Sequence, residues 1–253
     1  MAHEADLPSD ARMRARARLD AAMDERKRSF LRMASHELRT PLNSILGFSE
    51  ILTSELYGPL GASQYKEYAE IIHGSGQKLL KLVNQVLEIA RLEGGTIDFE
   101  AEPESLDAAL DDVLASLKPD LSARAVSIDI ADRQDLPAVL ADGRGLRSVL
   151  YQLLHNAIVF SPDGGVVEVS ARSFDGDVEI IIRDHGEGVD TSALGRLMAP
   201  FQQGENALTR KSEGAGLGLP IADLTCVAMG GRLTLASAPG DGLTATARLP
   251  GAD

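Results

Sequence analysis

The hydrophobic period of this chain changes once, at the pair Gly94-Gly95, and that change predicts a protein of two halves. Before the pair, apolar residues recur at alternating steps of three and four. Leu31, Ala34, Leu38, Pro41, Ile45, Phe48 and Leu52 form one such row, and Tyr65, Tyr68, Ile72, Leu79, Leu82, Val86 and Ile89 form a second. This is the seam of a heptad pattern, and it predicts helices from about Asp10 to Leu56 and from about Gln64 to Leu92. YGPLGAS, Tyr57 to Ser63, supplies glycine and proline breakers between them, so the two helices fold back as an antiparallel hairpin. A single hairpin leaves an apolar stripe uncovered. A second copy is its natural partner, and residues 30–95 are expected to build a homodimeric four-helix bundle. Residues 1–29, basic with interleaved acids, read as a charged lead-in helix.

After the glycine pair the period becomes two. Strands are expected at Thr96 to Ala101, Val126 to Ile130, Val166 to Ser173, Val178 to Arg183, Arg232 to Ser237 and Thr244 to Leu249. Helical patterns at Ser105 to Ala123, Gly143 to Phe160 and Leu217 to Met229 alternate with them. Helices laid on a mixed or antiparallel sheet make an α/β sandwich over residues 96–253, so the whole chain is α+β with two domains. Val189 to Glu213 is the longest stretch without a regular pattern, and a loop of that length in a compact domain is usually functional.

Charge narrows the partners. Among 253 residues there are 38 acidic and 25 basic, a net charge of -13, which disfavours a general nucleic-acid binder and requires any anionic ligand to be held locally. The single cysteine, Cys226, sits in the apolar run LTCVAMGG and reads as a core residue in a reducing compartment. Neither a disulfide framework nor Cys/His zinc spacing is present. No stretch approaches the roughly 20 apolar residues of a membrane span and no signal-peptide core opens the chain, so the expectation is a soluble, cytoplasmic chain without membrane contact of its own, either by itself or as the cytoplasmic part of a longer, membrane-tethered sensor.

Within the first helix, SHELRTPL (Ser35 to Leu42) sets a histidine off the apolar seam. His36 has Glu37 beside it and Thr40 one turn along the same face, while Pro41 removes a helical N–H and predicts a bend. An exposed imidazole next to a carboxylate is suited to act as a nucleophile whose other nitrogen is held by a base. A solvent-facing histidine on an ordinary bundle helix is the simpler alternative.

The second half carries two glycine clusters around the long loop. DHGEGVD places Asp184, Gly186 and Gly188 after an apolar strand, and EGAGLGLP places Gly214, Gly216 and Gly218 before a helix. Glycines let backbone approach a ligand closely, and N–H groups at a helix start favour anions, which together describe a phosphate seat. Asp184 at a strand end is suited to accept from an exocyclic amine such as that of adenine. In YQLLHNAIVF, Asn156 interrupts an apolar helix; it either coordinates Mg²⁺ bridged to phosphates or bonds to neighbouring backbone. Arg210 and Lys211 supply local positive charge or form a solvated basic pair.

Taken in order, these segments resemble the core of a two-component sensor histidine kinase. SHELRTPLNSILGF resembles the H-box, QLLHNAIVFSPDGG the N-box, DHGEGVD the G1 box, APFQQ the F-box and GAGLGLPIA the G2 box, and the chain is most similar to alphaproteobacterial kinases of the PleC/DivJ type. The resemblance implies a dimerisation and phosphotransfer hairpin followed by a Bergerat (GHKL) ATP-binding domain, with ATP and Mg²⁺ as ligands and a response regulator receiver domain as partner. It makes His36 the phospho-acceptor, Glu37 its base and Thr40 the residue that orients water in a phosphatase reaction. It assigns Asn156 to Mg²⁺ and Asp184 to adenine. Gly186, Gly188, Gly214, Gly216, Leu217 and Gly218 wall the nucleotide, Arg210 and Lys211 stand near its phosphates, and Phe201 anchors the lid between.

Two positions depart from the family pattern. Gln152 replaces the first asparagine of the N-box and keeps an amide carbonyl for the metal; Val159 replaces a lysine and cannot touch a phosphate, leaving Arg210 or Lys211 to compensate. Val159 keeps open a non-catalytic, nucleotide-binding signalling scaffold. A GHKL ATPase of the chaperone or topoisomerase kind is a further rival, without a reason to carry SHELRTPL. His73, His155 and His185 are expected to have structural roles.

Overall fold

The computed structural model describes residues 38–200 and 216–252. The chain divides into two compact units, one ending at Thr96 and the other beginning at Ile97. The expected lead-in helix therefore lies outside the described residues.

In the first unit, helix α1 runs from residue 38 to 53 and passes through Pro41 without a break, and α2 spans Ser63–Glu93. α1 stops three residues before the expected Leu56 because Glu55 adopts a left-handed φ of 52°. Glu55 then organises the turn: its carbonyl accepts from Gly58 N at 2.9 Å and its carboxylate from Leu60 N at 3.3 Å. Leu42, Ser49, Ala69 and Gly76 are buried in this unit. Gly76 allows close approach of the helices, since a Cβ there would stand 3.0 Å from Leu46 Cδ2. Polar bonds fix the register. Arg39 Nε donates to Asn84 Oδ1 at 2.8 Å, and His73 is engaged at Nδ1 by Ser49 Oγ (3.1 Å) and at Nε2 by Gln77 Nε2 (2.9 Å), a structural role as expected. Most of the heptad seam is not spent inside the hairpin: Leu38, Ile45, Phe48, Leu52, Tyr65, Tyr68, Ile72 and Leu79 are all exposed in the single chain, Phe48 by 69%, whereas Ile89 is buried.

The second unit opens with β1 (Glu102–Glu104), α3 (Leu106–Arg124), β2 (Ser127–Ile130), β3 (Val139–Ala141) and α4 (Gly143–Phe160). It continues with β4 (Val166–Phe174), β5 (Asp177–Arg183), a short α5 (Leu194–Leu197), α6 (Gly218–Ala228), β6 (Arg232–Ser237) and β7 (Leu243–Pro250). Five strands form one sheet in the order β2-β4-β5-β7-β6, parallel only between β2 and β4. The alternation that predicted the strands sends Val167, Val169, Val178, Ile180, Ile182, Ala245 and Ala247 to one face. There they meet Leu110, Val113 and Leu117 of α3 and Leu146, Leu150 and Leu154 of α4 in one core. The opposite face is polar; across it Arg172 pairs with Glu179 at 2.7 Å. No helix among the described residues is long and apolar enough to cross a membrane.

Three local expectations need correction. Thr96 to Ala101 is extended but pairs with nothing; the strand lies just beyond it, where β1 pairs antiparallel with β3. The alternation of Ile97 and Phe99 reflects burial instead, for a Cβ on Gly145 at the start of α4 would stand 2.9 Å from Phe99 Cε1. β3, only three residues long, is too short for periodicity to reveal. Finally, the start of the Val189 to Glu213 segment is not irregular: a 3-10 turn at Thr191–Ala193, capped by Asp190, leads directly into α5.

α4 owes its start to Asp142, whose side chain accepts from Arg144 N (2.9 Å) and Gly145 N (3.0 Å). Burial disfavours this carboxylate's charge, but backbone donors from Gly145, Glu100 and Arg144 outweigh it and hold the pKa below the usual aspartate value. A lowered folded pKa contributes stability that is present above the unfolded value and lost as pH falls through the folded one. Asp142→Ala should therefore cost about 1–2 kcal/mol near neutrality. In calorimetric melts the gap to the parent protein should close as pH drops below about 3.9, the ordinary aspartate value. A gap independent of pH would show that the cap acts without its charge.

Candidate functional site

β5 delivers Asp184 to the carboxyl end of the sheet, one residue after its last strand position. There the Asp184 main chain is tied to β7, its N–H donating to the Leu243 carbonyl at 3.0 Å. Its carboxylate Oδ1 accepts from Gly186 N at 2.9 Å and from Leu243 N at 3.2 Å. Oδ2 is buried and has no hydrogen-bond partner among the described residues, in a residue only 1% exposed. Burial raises the carboxyl above its ordinary pKa, opposed by the two backbone bonds and by His185 and Arg183. A buried acceptor held in this way is suited to receive an N–H or O–H from a ligand or from an ordered water.

The glycines around Asp184 are required by close approach. A Cβ on Gly186 would enter the space of the Phe160 carbonyl oxygen at the end of α4. Gly188, at φ 63°, lies against the Ala238 carbonyl, and Gly242, at φ 69°, against the carbonyl of Asp184 itself. Ser237 ties these turns together: its hydroxyl accepts from Val189 N at 2.9 Å and donates to the Gly242 carbonyl at 2.5 Å. Gly242, Ser237 and Leu243 were not among the residues singled out from the sequence. The PGDG turn before β7 was the available signal, because two glycines flanking an aspartate mark a backbone with special dihedrals.

α4 is the spine that both glycine clusters touch. Its Phe160 end meets Gly186, and Gln152, two turns earlier, meets the second cluster: a Cβ on Gly218 would stand 3.0 Å from Gln152 Oε1. Gln152 and Asn156 fall on one face, a turn apart, between those two contacts. Gly216 takes a left-handed φ of 69° just before α6, and Leu217 caps that helix. The Leu217 side chain is fully buried, so only its backbone can face a ligand. Amide oxygens near a helix start of this kind suit a hard oxygen-seeking cation that also contacts an anion.

Other expected residues fall outside this cluster. Thr40 is exposed on the first described turn of α1, its carbonyl accepting from Ser44 Oγ at 3.2 Å. His36, Glu37, Phe201, Arg210, Lys211 and Gly214 lie outside the described residues. His155 stacks on Tyr151 with ring centroids 5.6 Å apart, and His185 Nε2 lies 3.2 Å from Glu168 Oε1, consistent with structural roles. Cys226 is buried, which pushes its thiol up to about 12 and removes it as a nucleophile.

Residues 26–95 match the His Kinase A (phospho-acceptor) domain, and residues 141–253 match the family of histidine kinase-, DNA gyrase B-, and HSP90-like ATPases. The chain is 40% identical over 228 residues to the non-motile and phage-resistance protein of Caulobacter vibrioides, covering 88% of this chain and 27% of that protein. It is 37% identical over 225 residues to the cell-division control histidine kinase PdhS of Brucella suis, covering 85% and 22%. The chain thus spans about a quarter of the length of these curated relatives. Among solved structures, full-length ShkA in complex with AMPPNP is similar over 88% of this chain and 46% of that one, with a TM-score of 0.75 and 32% identity. The histidine kinase AdeS of Acinetobacter baumannii shares the fold, with a TM-score of 0.60 at 21% identity, covering 86% of this chain and 98% of that one.

The glycine geometry can be tested without any ligand. Gly242→Ala adds a Cβ at a left-handed φ directly against the Asp184 main chain, and should destabilise the protein by about 1–3 kcal/mol. Gly240→Ala, also at positive φ but facing open space, should cost about 1 kcal/mol, the left-handed penalty alone. Equal melting temperatures for the two variants would refute the close approach.

Proposed function

The chain belongs to the histidine kinases, and from that premise we propose that its second unit binds ATP with Mg²⁺ and that His36 takes the γ-phosphoryl group. One observation carries the nucleotide half of this reading. Asp184 Oδ2 is a buried acceptor without a partner among the described residues, and the exocyclic amine of adenine is a donor of the right kind. Phosphates then extend along α4 toward Gly216, Leu217 and Gly218 at the start of α6, a distance of roughly 12 Å between Phe160 and Gln152 at 1.5 Å per residue. Asn156 and Gln152 offer amide oxygens to Mg²⁺, a donor set that suits a hard cation shared with phosphate oxygens. When bound, the metal supplies neutralisation of the charge that builds on the phosphates. Arg210, Lys211 and the Gly214 backbone add donors, and they take the part of the lysine that Val159 displaces. Gly186 and Gly188 let the backbone lie close to the base and ribose.

In the transfer, a ring nitrogen of His36 attacks the γ-phosphorus in line. The new N–P bond forms as the bond to the β–γ bridging oxygen breaks, and ADP leaves with that oxygen. Glu37 accepts a hydrogen bond from the other ring N–H and stabilises the positive charge on the imidazole. Positioning and charge neutralisation provide most of the rate in such a step. The phosphoryl group then passes to an aspartate on the receiver domain of a response regulator. Thr40, one turn from His36 on an exposed face, orients a water for the opposing phosphatase reaction. Residues 30–95 form the homodimer; the exposed seam of Leu38, Ile45, Phe48 and Leu52 supports this. The reaction consumes ATP and is assigned to the cytoplasm.

Incubation of the chain with γ-labelled ATP should leave acid-labile, base-stable label on the protein, and His36→Gln should carry none. Equal label on the variant overturns the assignment of His36, and label absent from both favours a nucleotide-binding scaffold. Thr40→Ala should slow dephosphorylation of a loaded regulator by on the order of 10²-fold, the lower end of what a positioned proton-transfer partner contributes, while autophosphorylation is unchanged. An unaltered dephosphorylation rate removes Thr40 from that role.

A further inference from the structure

The last residue of α3 reaches across to the end of a different helix. Arg124 Nη1 donates to the Val159 carbonyl and Nη2 to the Ser161 carbonyl at 2.9 Å, while Nε and Nη2 both meet Asp163 Oδ1 at 3.1 Å. The Arg124 carbonyl in turn accepts from Gly164 N at 2.9 Å. Carbonyls in the last turn of a helix lack intrahelical donors and carry the negative end of the macrodipole, so one guanidinium satisfies both needs here. The Ser161 side chain takes no part: its hydroxyl is buried without a partner among the described residues, and only its main chain is clamped.

Between the two clamped carbonyls lies that of Phe160, the oxygen that occupies the space a side chain on Gly186 would need. The same missing Cβ would stand 3.0 Å from Asp184 Oδ1, and Gly186 N–H is one of the two donors that fix that oxygen. Contacts therefore run without a gap from the Arg124 guanidinium, through the end of α4, to the buried carboxylate. We propose that Arg124 is a positioning residue of the nucleotide site: by holding the Val159 and Ser161 carbonyls it sets the contact of Phe160 with Gly186, and through it the aim of Asp184 Oδ2 at the purine amine. The inference rests on the reading of Asp184 as the acceptor for the base. Asp163, whose side chain is 81% exposed, is the dispensable arm of the clamp.

A brace that served stability alone would weaken all ligands together, whereas a brace that aims Asp184 alters which base is preferred. The test compares binding of ADP with Mg²⁺ to that of purine riboside 5′-diphosphate, which lacks the 6-amino group, by titration calorimetry on the full chain. The parent protein should prefer ADP by about tenfold or more, the worth of one hydrogen bond to a charged group. Asp184→Ala should erase the preference. Arg124→Ala should reduce it to within about threefold of unity, and Arg124→Lys, a point charge without the guanidinium fork, should retain part of it. Asp163→Asn should leave it intact. If Asp184→Ala loses the preference while Arg124→Ala, or Arg124→Lys where the alanine variant does not fold, keeps it in full, the positioning role is overturned. If Asp184→Ala itself keeps the preference, the base-reading role of Asp184 falls and the inference with it.

Discussion

A carboxylate taken out of water keeps its charge only where donors replace the water it has lost. At Asp184 two main-chain N–H groups do this for one oxygen and leave the other open. These donors come from distant parts of the chain, Gly186 beside it and Leu243 across 59 residues. Both loops must therefore be packed to within hydrogen-bond reach of one side chain. The absence of side chains at Gly186, Gly188 and Gly242 is what makes the approach possible, and the polar end of β5 is where three backbones meet. The sheet, the end of α4 and the turn between β6 and β7 can be understood as the support for that single half-satisfied group.

The two units answer the problem of apolar surface differently. In the second, α3, α4 and the inner face of the sheet bury Leu110, Leu150, Leu154 and Ile180 completely within one chain. In the first, Gly76, Ala69 and Ser49 are buried together with Leu42, Leu87, Ile89 and Leu92, while large side chains such as Phe48 and Tyr65 are left outside. A hairpin that leaves those side chains outside retains apolar surface for a second contact.

Much of this architecture is readable from periodicity and caps. α3, α4 and α6 lie where the helical patterns place them, and Ser105 and Asp142 cap the first two as side chains of their type should. β4 through β7 follow the alternation. The failures have physical causes. Thr96 to Ala101 alternates because Phe99 packs over the start of α4, and burial of one face imitates a strand when no neighbour offers a ladder. At the site, Asp184 and its flanking glycines are visible because strand, acid and glycine occur together in sequence. The open state of Oδ2 is not visible, since it depends on which N–H groups arrive from Leu243 and Gly186. Arg124 is invisible for a stronger reason: besides Asp163, it holds main-chain carbonyls 35 and 37 residues away, and no side-chain pattern records those.

The strand order has a consequence for how copies of this chain can meet. β2, one border of the sheet, is only four residues long and carries Asp129 among its unpaired backbone groups. At the other border the end of β6 is occupied by a neighbouring loop, with Thr191 Oγ1 donating to the Ser237 carbonyl and Val189 N to the Ser237 hydroxyl. Short, charged or covered borders resist the zipping of one sheet onto another. Self-association through strand addition is thereby discouraged in the second unit.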